Sequence, residues 1–186
     1  MQYKIEEGGA GFRPYGGAAK AFYCREPEVI LAGPAETGKT YSLLHKIHLL
    51  CWTYPNLQAA IVRKTYKSLV STVLQTYWHK VVGGSGNGVH PFGGERPEWF
   101  GYPTNSRIWC VGMDNADKVL SGEWDIIFTN QTEELSQAEW EILLSRCTGR
   151  AGHLPWPQLI GDCNPSYPHH WIRTRQTLTL YESRHN

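Results

Sequence analysis

The chain has 186 residues, of which 41% are hydrophobic and 19% are charged. This length and composition suit one domain with a substantial core and are too small for two. The 18 Lys and Arg residues nearly balance the 17 Asp and Glu residues, which leaves a net charge of +1. Such a balance excludes a strong overall attraction to nucleic acid, acidic substrates or membranes, so any contact with DNA has to come from a local patch.

No stretch of the sequence has the apolar run that a signal peptide or a membrane span needs. The five cysteines are scattered and include no CxxC pair: Cys24, Cys51, Cys110, Cys147 and Cys163. We therefore expect a cytoplasmic protein with buried thiols and no membrane partner, disulfide framework or structural zinc site.

The first half of the chain alternates short apolar runs with segments of helical periodicity. Glu28–Ala32 predicts a strand that stops at a glycine, and Thr40–Leu50 predicts a helix. Ala59–Val62 predicts a second strand and Ser68–Val82 a second helix. This βαβα order favours a parallel sheet covered by helices on both faces. The glycine-rich stretch Gly83–Gly94 predicts an exposed loop without a regular element.

The second half begins with a predicted hairpin that turns at Pro103–Ser106 and has Arg107–Val111 as its second arm. Asp114 is expected to cap a short helix that ends at Leu120.

Two further buried strands are predicted at Asp125–Thr129 and Gln158–Asp162, and Thr177–Tyr181 is a candidate for one more. Between them, Ser136 and Glu139 have the spacing of a capping box, which marks the start of a helix. The sequence shows no internal repeat.

The sequence motif with the clearest chemistry has the form GxxxxGK[ST] and lies between the first strand and the first helix. It occupies Gly33, Pro34, Ala35, Glu36, Thr37, Gly38, Lys39 and Thr40. Such a loop turns backbone N–H groups and a helix N-terminus toward phosphates, while Lys39 adds charge and the Thr40 hydroxyl binds Mg²⁺. Glu36 should point to solvent, because a carboxylate would repel a bound anion.

The residues after the predicted strand Asp125–Thr129 fit a role in hydrolysis less well. A hydrolysing P-loop enzyme usually has an Asp and a Glu here, whereas this chain has Asn130 and Gln131. Asn130 can hydrogen-bond a metal-bound water, and Gln131 can orient a water without taking its proton. Glu133 and Glu134 are candidates for the missing carboxylate, and they are equally consistent with an acidic lead-in to the following helix.

Two other polar residues lie at the ends of predicted strands. Asn164 closes the last core strand at the edge where α/β sheets bind ligands, so it is a candidate sensor of the γ-phosphate. Asn-Pro is also a common turn dipeptide, and that alternative stays open. Asp125 lies at the opposite end of its strand and is expected to be structural.

Taken together, these segments resemble the ATPase domain of the phage terminase large subunit, the motor that packages double-stranded DNA into capsids. The order and spacing of the segments carry the resemblance, which runs from about Phe12 to the C-terminus. The segments are Ala32–Thr40, Ile61–Leu69, Tyr102–Leu135, Arg146–Gly152, Gly161–Pro165 and His169–Arg175.

The resemblance implies an α/β fold of the P-loop NTPase class, with a mostly parallel sheet sandwiched by helices. It implies that Lys39 and Thr40 bind ATP and Mg²⁺, with Asn130 also near the metal. It places the catalytic region at Asn130–Glu134 and the motif that couples hydrolysis to movement at Asn164. Because Asn130 and Gln131 replace the family's usual acids, Glu133 is the first candidate for the catalytic carboxylate and Glu134 the second.

The same resemblance implies double-stranded DNA, the portal protein and the terminase small subunit as partners, at the procapsid in the host cytoplasm. It also implies a homo-oligomeric ring on the capsid with an arginine finger from a neighbouring subunit. Four residues are candidates for that finger, and each is equally consistent with a solvated surface charge: Arg63, Lys118, Arg146 and Arg150.

Large subunits of this family carry a nuclease domain after the ATPase. After Asp162 the only acid is Glu182, so we expect residues 1–186 to be a single ATPase domain, a fragment without nuclease activity, with residues 1–11 as a flexible lead-in. The resulting hypothesis is an ATP-hydrolysing DNA-translocation motor. The alternatives are a nucleotide-binding module or prophage remnant that no longer hydrolyses ATP and, less well supported, a small-molecule kinase.

Overall fold

A computed structural model describes residues 12–164 and 168–184, so the predicted lead-in at residues 1–11 lies outside the described residues. The described strands are β1 (Glu28–Ala32), β2 (Gln58–Arg63), β3 (His90–Phe92), β4 (Trp99–Gly101), β5 (Arg107–Gly112), β6 (Ile126–Thr129), β7 (Gln158–Cys163) and β8 (Thr179–Glu182). They form one sheet in the order β3-β4-β5-β2-β6-β7-β1-β8. In this spatial order, every neighbouring pair within β5-β2-β6-β7-β1-β8 is parallel. β4 is antiparallel to both of its neighbours, β3 and β5.

The described α-helices are α1 (Gly16–Tyr23), α2 (Lys39–Thr53), α3 (Tyr66–Ser68), α4 (Leu74–Thr76), α5 (Asp117–Leu120), α6 (Gln137–Arg146) and α7 (Trp171–Thr174). Two π-helical segments, Leu69–Val73 and Tyr77–Val82, join α3 and α4 into one continuous helical segment, residues 66–82. Two 3₁₀ turns cover Met113–Asn115 and Thr132–Glu134.

The core lies on both faces of the sheet, because successive side chains of a strand point to opposite sides. In β1, Val29 and Leu31 belong to the cluster that packs against α2 and residues 66–82, whereas Ile30 and Ala32 belong to the cluster on the side of α5, α6 and α7. Every residue of β1 is buried. The α/β class, with a mostly parallel sheet between helices, is therefore confirmed.

The second predicted helix differs from the structure in its start and in its geometry. It begins at Tyr66 rather than at Ser68, because Thr65 occupies the cap position and its hydroxyl accepts a hydrogen bond from the Ser68 amide at 3.3 Å. Of its 17 residues, 11 are π-helical rather than α-helical (Leu69–Val73 and Tyr77–Val82). This geometry matters for the site because three residues of the segment line the cleft described below.

Two local predictions are wrong. The glycine-rich stretch contains the short strand β3, which pairs with β4 and is held by Phe92 stacked on Trp99, with ring centroids 3.8 Å apart. Asp114 does not cap the following helix, whose cap position is Ala116. Its carboxylate instead accepts a hydrogen bond from the backbone amide of Tyr66 at 3.0 Å, so a contact from elsewhere in the fold replaces the local one.

The capping box at the start of α6 is confirmed, since Ser136 and Glu139 exchange both hydrogen bonds. The helix thereby presents Trp140 to the core, where this side chain is fully buried and donates its indole N–H to the Glu28 carboxylate at 2.8 Å. Arg175 also donates to Glu28, at 2.6 Å. One carboxylate therefore connects β1, α6 and the segment after α7.

Replacing Trp140 with alanine should lower the free energy of unfolding by about 3–5 kcal/mol, because it opens a large cavity and removes a donor from a buried carboxylate. Urea unfolding followed by circular dichroism measures the change. Ile142→Ala is the matched control, since Ile142 lies on the same helix but is 43% exposed, and its loss should cost much less. Equal losses in the two variants would contradict this account of the core.

The helix after the phosphate loop carries two histidines that are held neutral. Burial lowers the pKa of His45 to about 4, and burial together with the neighbouring His45 lowers that of His48 to about 4. Between pH 6.5 and 4 the unfolded chain binds protons at these positions that the folded protein does not, so acid favours unfolding in this window. The stabilisation is complete above about pH 6.5 and decreases toward pH 4.

We expect the free energy of unfolding to fall as the pH is lowered from 6.5 to 4, with His48 contributing on the order of 1–2 kcal/mol. Urea unfolding at several pH values should show a shallower pH dependence in His48→Gln than in the parent. His79→Gln is the control, because His79 is exposed and should leave the slope unchanged. A parental slope in His48→Gln would refute the assignment.

All five cysteines are free thiols, and the expectation that they are buried holds for Cys51, Cys110 and Cys163. It is wrong for Cys24 and Cys147, which are half-buried. Among the described helices, none is both long and apolar enough to cross a membrane.

Candidate functional site

The predicted phosphate loop connects the carboxyl end of β1 to α2. Gly38 precedes the helix with φ at 74°, in the left-handed region that glycine adopts readily, and α2 begins at Lys39. The loop borders a cleft of about 380 Å³ that is also lined by residues at the ends of β2, β6 and β7 and by Thr72, Val73 and Thr76. Glu36 is exposed, as expected for a carboxylate beside an anion site.

The first two residues of the motif have a different position. Gly33 and Pro34 are not among the residues that line the cleft, although their carbonyls contact Lys39. A Cβ at Gly33 would collide with the carbonyl of Ser183, the residue after β8. Ser183 also donates its amide to Ala32 at 2.7 Å and its hydroxyl to the Thr37 carbonyl at 3.2 Å. The residue after β8 therefore packs against the phosphate loop and hydrogen-bonds to it.

Lys39 is folded back onto its own loop. Its ammonium group donates to the carbonyls of Gly33 at 2.7 Å and Pro34 at 2.5 Å. Burial lowers the pKa of Lys39, while the nearby Asp162 and Glu133 oppose that shift. An anion in the cleft would be a better partner for this charge than two neutral carbonyls.

A carboxylate that the sequence analysis did not single out lies at the centre of the cleft. Asp162, at the end of β7, is 2% exposed and accepts a hydrogen bond from the Thr40 hydroxyl. It also accepts from the Asn130 side-chain amide at 2.9 and 3.1 Å and from the Gln131 backbone amide at 2.8 Å. Burial raises the pKa of Asp162, and these donors together with Lys39 act in the opposite direction.

The signal for Asp162 was present in the sequence. Its strand was predicted as Gln158–Asp162 and runs one residue further, so an acid lies next to its carboxyl end, and the carboxyl ends of parallel strands meet at the ligand-binding edge. The strand order was not available from the sequence, and it is this order that places β7 between β1 and β6.

The two glutamates of the catalytic segment have separate surroundings. One Glu133 carboxylate oxygen accepts from the Asn164 backbone amide at 3.1 Å and from its side-chain amide at 3.0 Å. The other oxygen is buried and has no hydrogen-bond partner among the described residues. Glu134 is 40% exposed in its side chain and faces Arg63, with 3.6 Å between carboxylate and guanidinium. Of the two, Glu133 is the one joined to Asn164.

Gln131 lines the cleft in a left-handed conformation, with φ at 50°. Its backbone amide is fixed by Asp162. Its side-chain oxygen is buried and, within residues 12–164 and 168–184, accepts no hydrogen bond. Gln131 and Glu133 thus each have a buried acceptor oxygen without a partner among the described residues, and of these two residues Gln131 lines the cleft whereas Glu133 does not.

The four arginine-finger candidates fall into different places. Arg63 ends β2, lines the cleft of its own chain and donates to the Thr72 hydroxyl at 2.6 Å. Lys118 is paired with Glu98 at 2.8 Å on the surface. Arg146 and Arg150 are exposed and lie beyond the amino end of β6, since the Arg146 carbonyl accepts from the Trp124 amide at 2.9 Å. They are at the sheet edge opposite to the cleft.

Asp125 lies at that same opposite edge, and its predicted structural role is confirmed. Its carboxylate accepts from the backbone amides of Gln58 at 2.9 Å and Gly152 at 2.8 Å. It therefore holds the start of β2 and the loop at Gly152 to the start of β6, and it lies apart from the cleft.

The sequence matches no protein-family model. It also matches none of the curated proteins. The structure, in contrast, is similar to the large terminase of the thermophilic bacteriophage D6E, with a TM-score of 0.72 and 14% identity over 92% of this chain and 46% of that one. The ATPase domain of the Thermus phage P74-26 large terminase gives a TM-score of 0.66 and 12% identity over 92% of this chain and 81% of that domain. The chain has the fold of a phage large-terminase ATPase domain.

A third large terminase, from bacteriophage HK97, gives a TM-score of 0.66 and 15% identity over 94% of this chain and 40% of that one. The chain spans less than half the length of the D6E and HK97 large terminases. Similar structures of the D6E large terminase include complexes with ADP and with ATP-gamma-S. In this chain the cleft lies at the predicted phosphate loop.

Proposed function

We propose that the chain is the ATP-binding and ATP-hydrolysing motor domain of a viral terminase large subunit, which drives double-stranded DNA into the capsid. The observation that carries the proposal is the joint placement of the phosphate loop, Asp162 and Asn164 around one cleft, with Glu133 hydrogen-bonded to Asn164. The similarity to terminase ATPase domains supports the motor role, and the nucleotide complexes of the D6E protein support ATP as the ligand.

The phosphates of ATP would bind the backbone N–H groups of Ala35, Glu36, Thr37 and Gly38, together with the N-terminus of α2. Lys39 would exchange its two carbonyl partners for phosphate oxygens. Gly33 and Pro34 would shape the loop through their backbone. Arg63 of β2 and three residues of the segment 66–82 line the same cleft and would lie around the γ-phosphate.

The donors in the cleft fit Mg²⁺, because the Thr40 hydroxyl touches a carboxylate oxygen and oxygen ligands are those that Mg²⁺ prefers. Thr40 would hold the ion directly, and Asn130 would hydrogen-bond its water shell. When bound, the ion would offset the negative charge that builds up on the phosphates during transfer.

We assign two roles near the γ-phosphate: Glu133 would act as the general base and Asn164 as the sensor. The unbonded Glu133 oxygen would take a proton from the attacking water, and Gln131 would orient that water. The water oxygen then forms the new bond to the γ-phosphorus as the bond to ADP breaks. Asn164 holds the other Glu133 oxygen, so a change at the γ-phosphate would reach the chain beyond β7.

The partners follow from the proposed motor role: double-stranded DNA, the portal protein, the terminase small subunit and neighbouring copies in a ring on the procapsid in the host cytoplasm. Arg63 already lies in the cleft of its own chain. Its Nε atom is buried without a hydrogen-bond partner in the described part of the chain. Arg63 would therefore act on the phosphates within the same subunit, which leaves Lys118, Arg146 and Arg150 as candidates for a finger from a neighbour.

Single-turnover hydrolysis of ATP with Mg²⁺, with and without double-stranded DNA, tests the proposed function. The motor predicts phosphate release that requires the intact loop. The alternative of a hydrolysis-deficient binding module is favoured by Asn130 and Gln131, and it predicts ATP binding without release under both conditions. Transfer of phosphate to an added small acceptor instead of water would favour a kinase, and the absence of ATP binding would refute all three.

A further inference from the structure

The strand order places Asp162 beside Asn130, the position at which a hydrolysing P-loop enzyme usually has an aspartate. β7 lies between β6 and β1, and its register pairs Gly161 with Thr129. The next residues along both strands, Asp162 and Asn130, therefore lie side by side at the carboxyl edge of the sheet. On the other side of β7, Asp162 is level with Leu31 of β1, just before the phosphate loop.

The contacts of Asp162 connect it to the phosphate loop rather than to the core. One of its oxygens accepts from the Thr40 hydroxyl, the group expected to bind Mg²⁺. Lys39 is the cation that interacts with it, and its other donors are the neutral amides of residues 130 and 131. A carboxylate that is 2% exposed and has no ion pair within the described residues is costly to bury, and a divalent cation between it and bound phosphates removes that cost.

The neighbouring carboxylate of Asp162 explains why position 130 carries an amide rather than an acid. The Asn130 side chain donates to both Asp162 oxygens, at 2.9 and 3.1 Å. An aspartate at position 130 would place a second carboxylate about 3 Å from the first, where both cannot stay ionised without strong repulsion. Asn130 removes this conflict and fixes the orientation of the remaining acid.

We propose that Asp162 supplies the carboxylate of the Mg²⁺ site, and that the acid has moved from the end of β6 to the end of the neighbouring strand β7. This assignment rests on the proposed function. Asn130 is then a positioning residue that orients Asp162 through its amide. The pair Asn130 and Gln131 consequently does not indicate a loss of metal binding.

The test measures nucleotide affinity rather than turnover. The affinity for ATP-gamma-S is determined by calorimetry in Mg²⁺ and in EDTA for the parent, Asp162→Asn, the exchange variant Asn130→Asp/Asp162→Asn, and the control Asp117→Asn. Asp117 is an exposed acid on α5. Circular dichroism verifies that each variant is folded.

We expect Mg²⁺ to tighten binding to the parent and to the control. In Asp162→Asn this gain should fall by about 10-fold or more, while the affinity in EDTA stays within about threefold of the parent value. The exchange variant should recover part of the gain, because it returns one acid to the neighbouring position 130 at the same edge of the sheet. It also keeps the proposal testable where Asp162→Asn alone fails to fold.

Electron paramagnetic resonance of Mn²⁺ with ATP-gamma-S provides a second readout, and Asp162→Asn should weaken Mn²⁺ binding in parallel. A full Mg²⁺ gain in Asp162→Asn, or no recovery in a folded exchange variant, would overturn the assignment while leaving the proposed function intact. If the parent binds no nucleotide in either buffer, the proposed function fails and the assignment fails with it.

Discussion

Replacing Lys39 with alanine should abolish ATP turnover, with a decrease of about 10³-fold or more in the single-turnover rate. The ammonium group is the positive charge of the phosphate loop, and it is already held within 2.7 Å of the loop carbonyls. Arg63 is the other cation among the described residues that line the cleft, and its guanidinium is engaged by the Ser68 carbonyl and the Thr72 hydroxyl. No neighbouring side chain can therefore replace Lys39.

Rapid-quench measurement of phosphate release from an excess of protein over ATP gives this rate. Lys20→Ala is the matched control, because Lys20 is exposed on α1 and should leave the rate unchanged. The far-ultraviolet circular dichroism of Lys39→Ala should match that of the parent. Hydrolysis at the parental rate by a folded Lys39→Ala variant would refute the assignment of the phosphate loop.

The second large effect concerns Glu133, the proposed catalytic carboxylate. Glu133→Gln should lower the single-turnover rate by about 10²-fold or more, because glutamine cannot take a proton from the attacking water. Its side chain keeps nearly the same shape and can still accept the hydrogen bonds from Asn164. Nucleotide affinity should therefore change little, so the loss should appear in the rate rather than in binding.

Glu134→Gln is the matched comparison, one residue further along the same turn. Glu134 is partly exposed and faces Arg63 at 3.6 Å, so we expect a smaller loss in this variant. Both variants are assayed with the same ATP and Mg²⁺ as the parent. A large loss in Glu134→Gln with a parental rate in Glu133→Gln would reverse the assignment.

Most of the sheet could be predicted because its central strands are continuous apolar runs bounded by glycine or polar residues. β1, β2, β6 and β7 are buried almost throughout, which is the pattern that parallel strands between helices require. β3 could not be predicted, since its three residues are all exposed and it exists through its pairing with β4. A strand of three exposed residues that includes a proline leaves no apolar pattern to recognise.

The candidate site also has a part that could be predicted from the sequence and a part that could not. The phosphate loop is one continuous segment, so its residues could be identified from the sequence. Asp162 lies 122 residues from Thr40 along the chain, and its contact with the Thr40 hydroxyl depends on which strand lies beside β1. Arg63 could be named as a candidate, but its position inside the cleft depends on β2 lying beside β6. Glu133 was preferred to Glu134 by resemblance, and its contact with Asn164 provides the physical reason.

The contact between Gly33 and Ser183 has a consequence for the order in which the molecule folds. Ser183 touches the phosphate loop at Ala32, Gly33 and Thr37, although Thr37 precedes it by 146 residues. Contacts between segments so far apart in sequence form slowly, because a long chain has to be closed before they are made. During synthesis the nucleotide loop therefore stays unfinished until residue 183 has left the ribosome and β8 has joined β1.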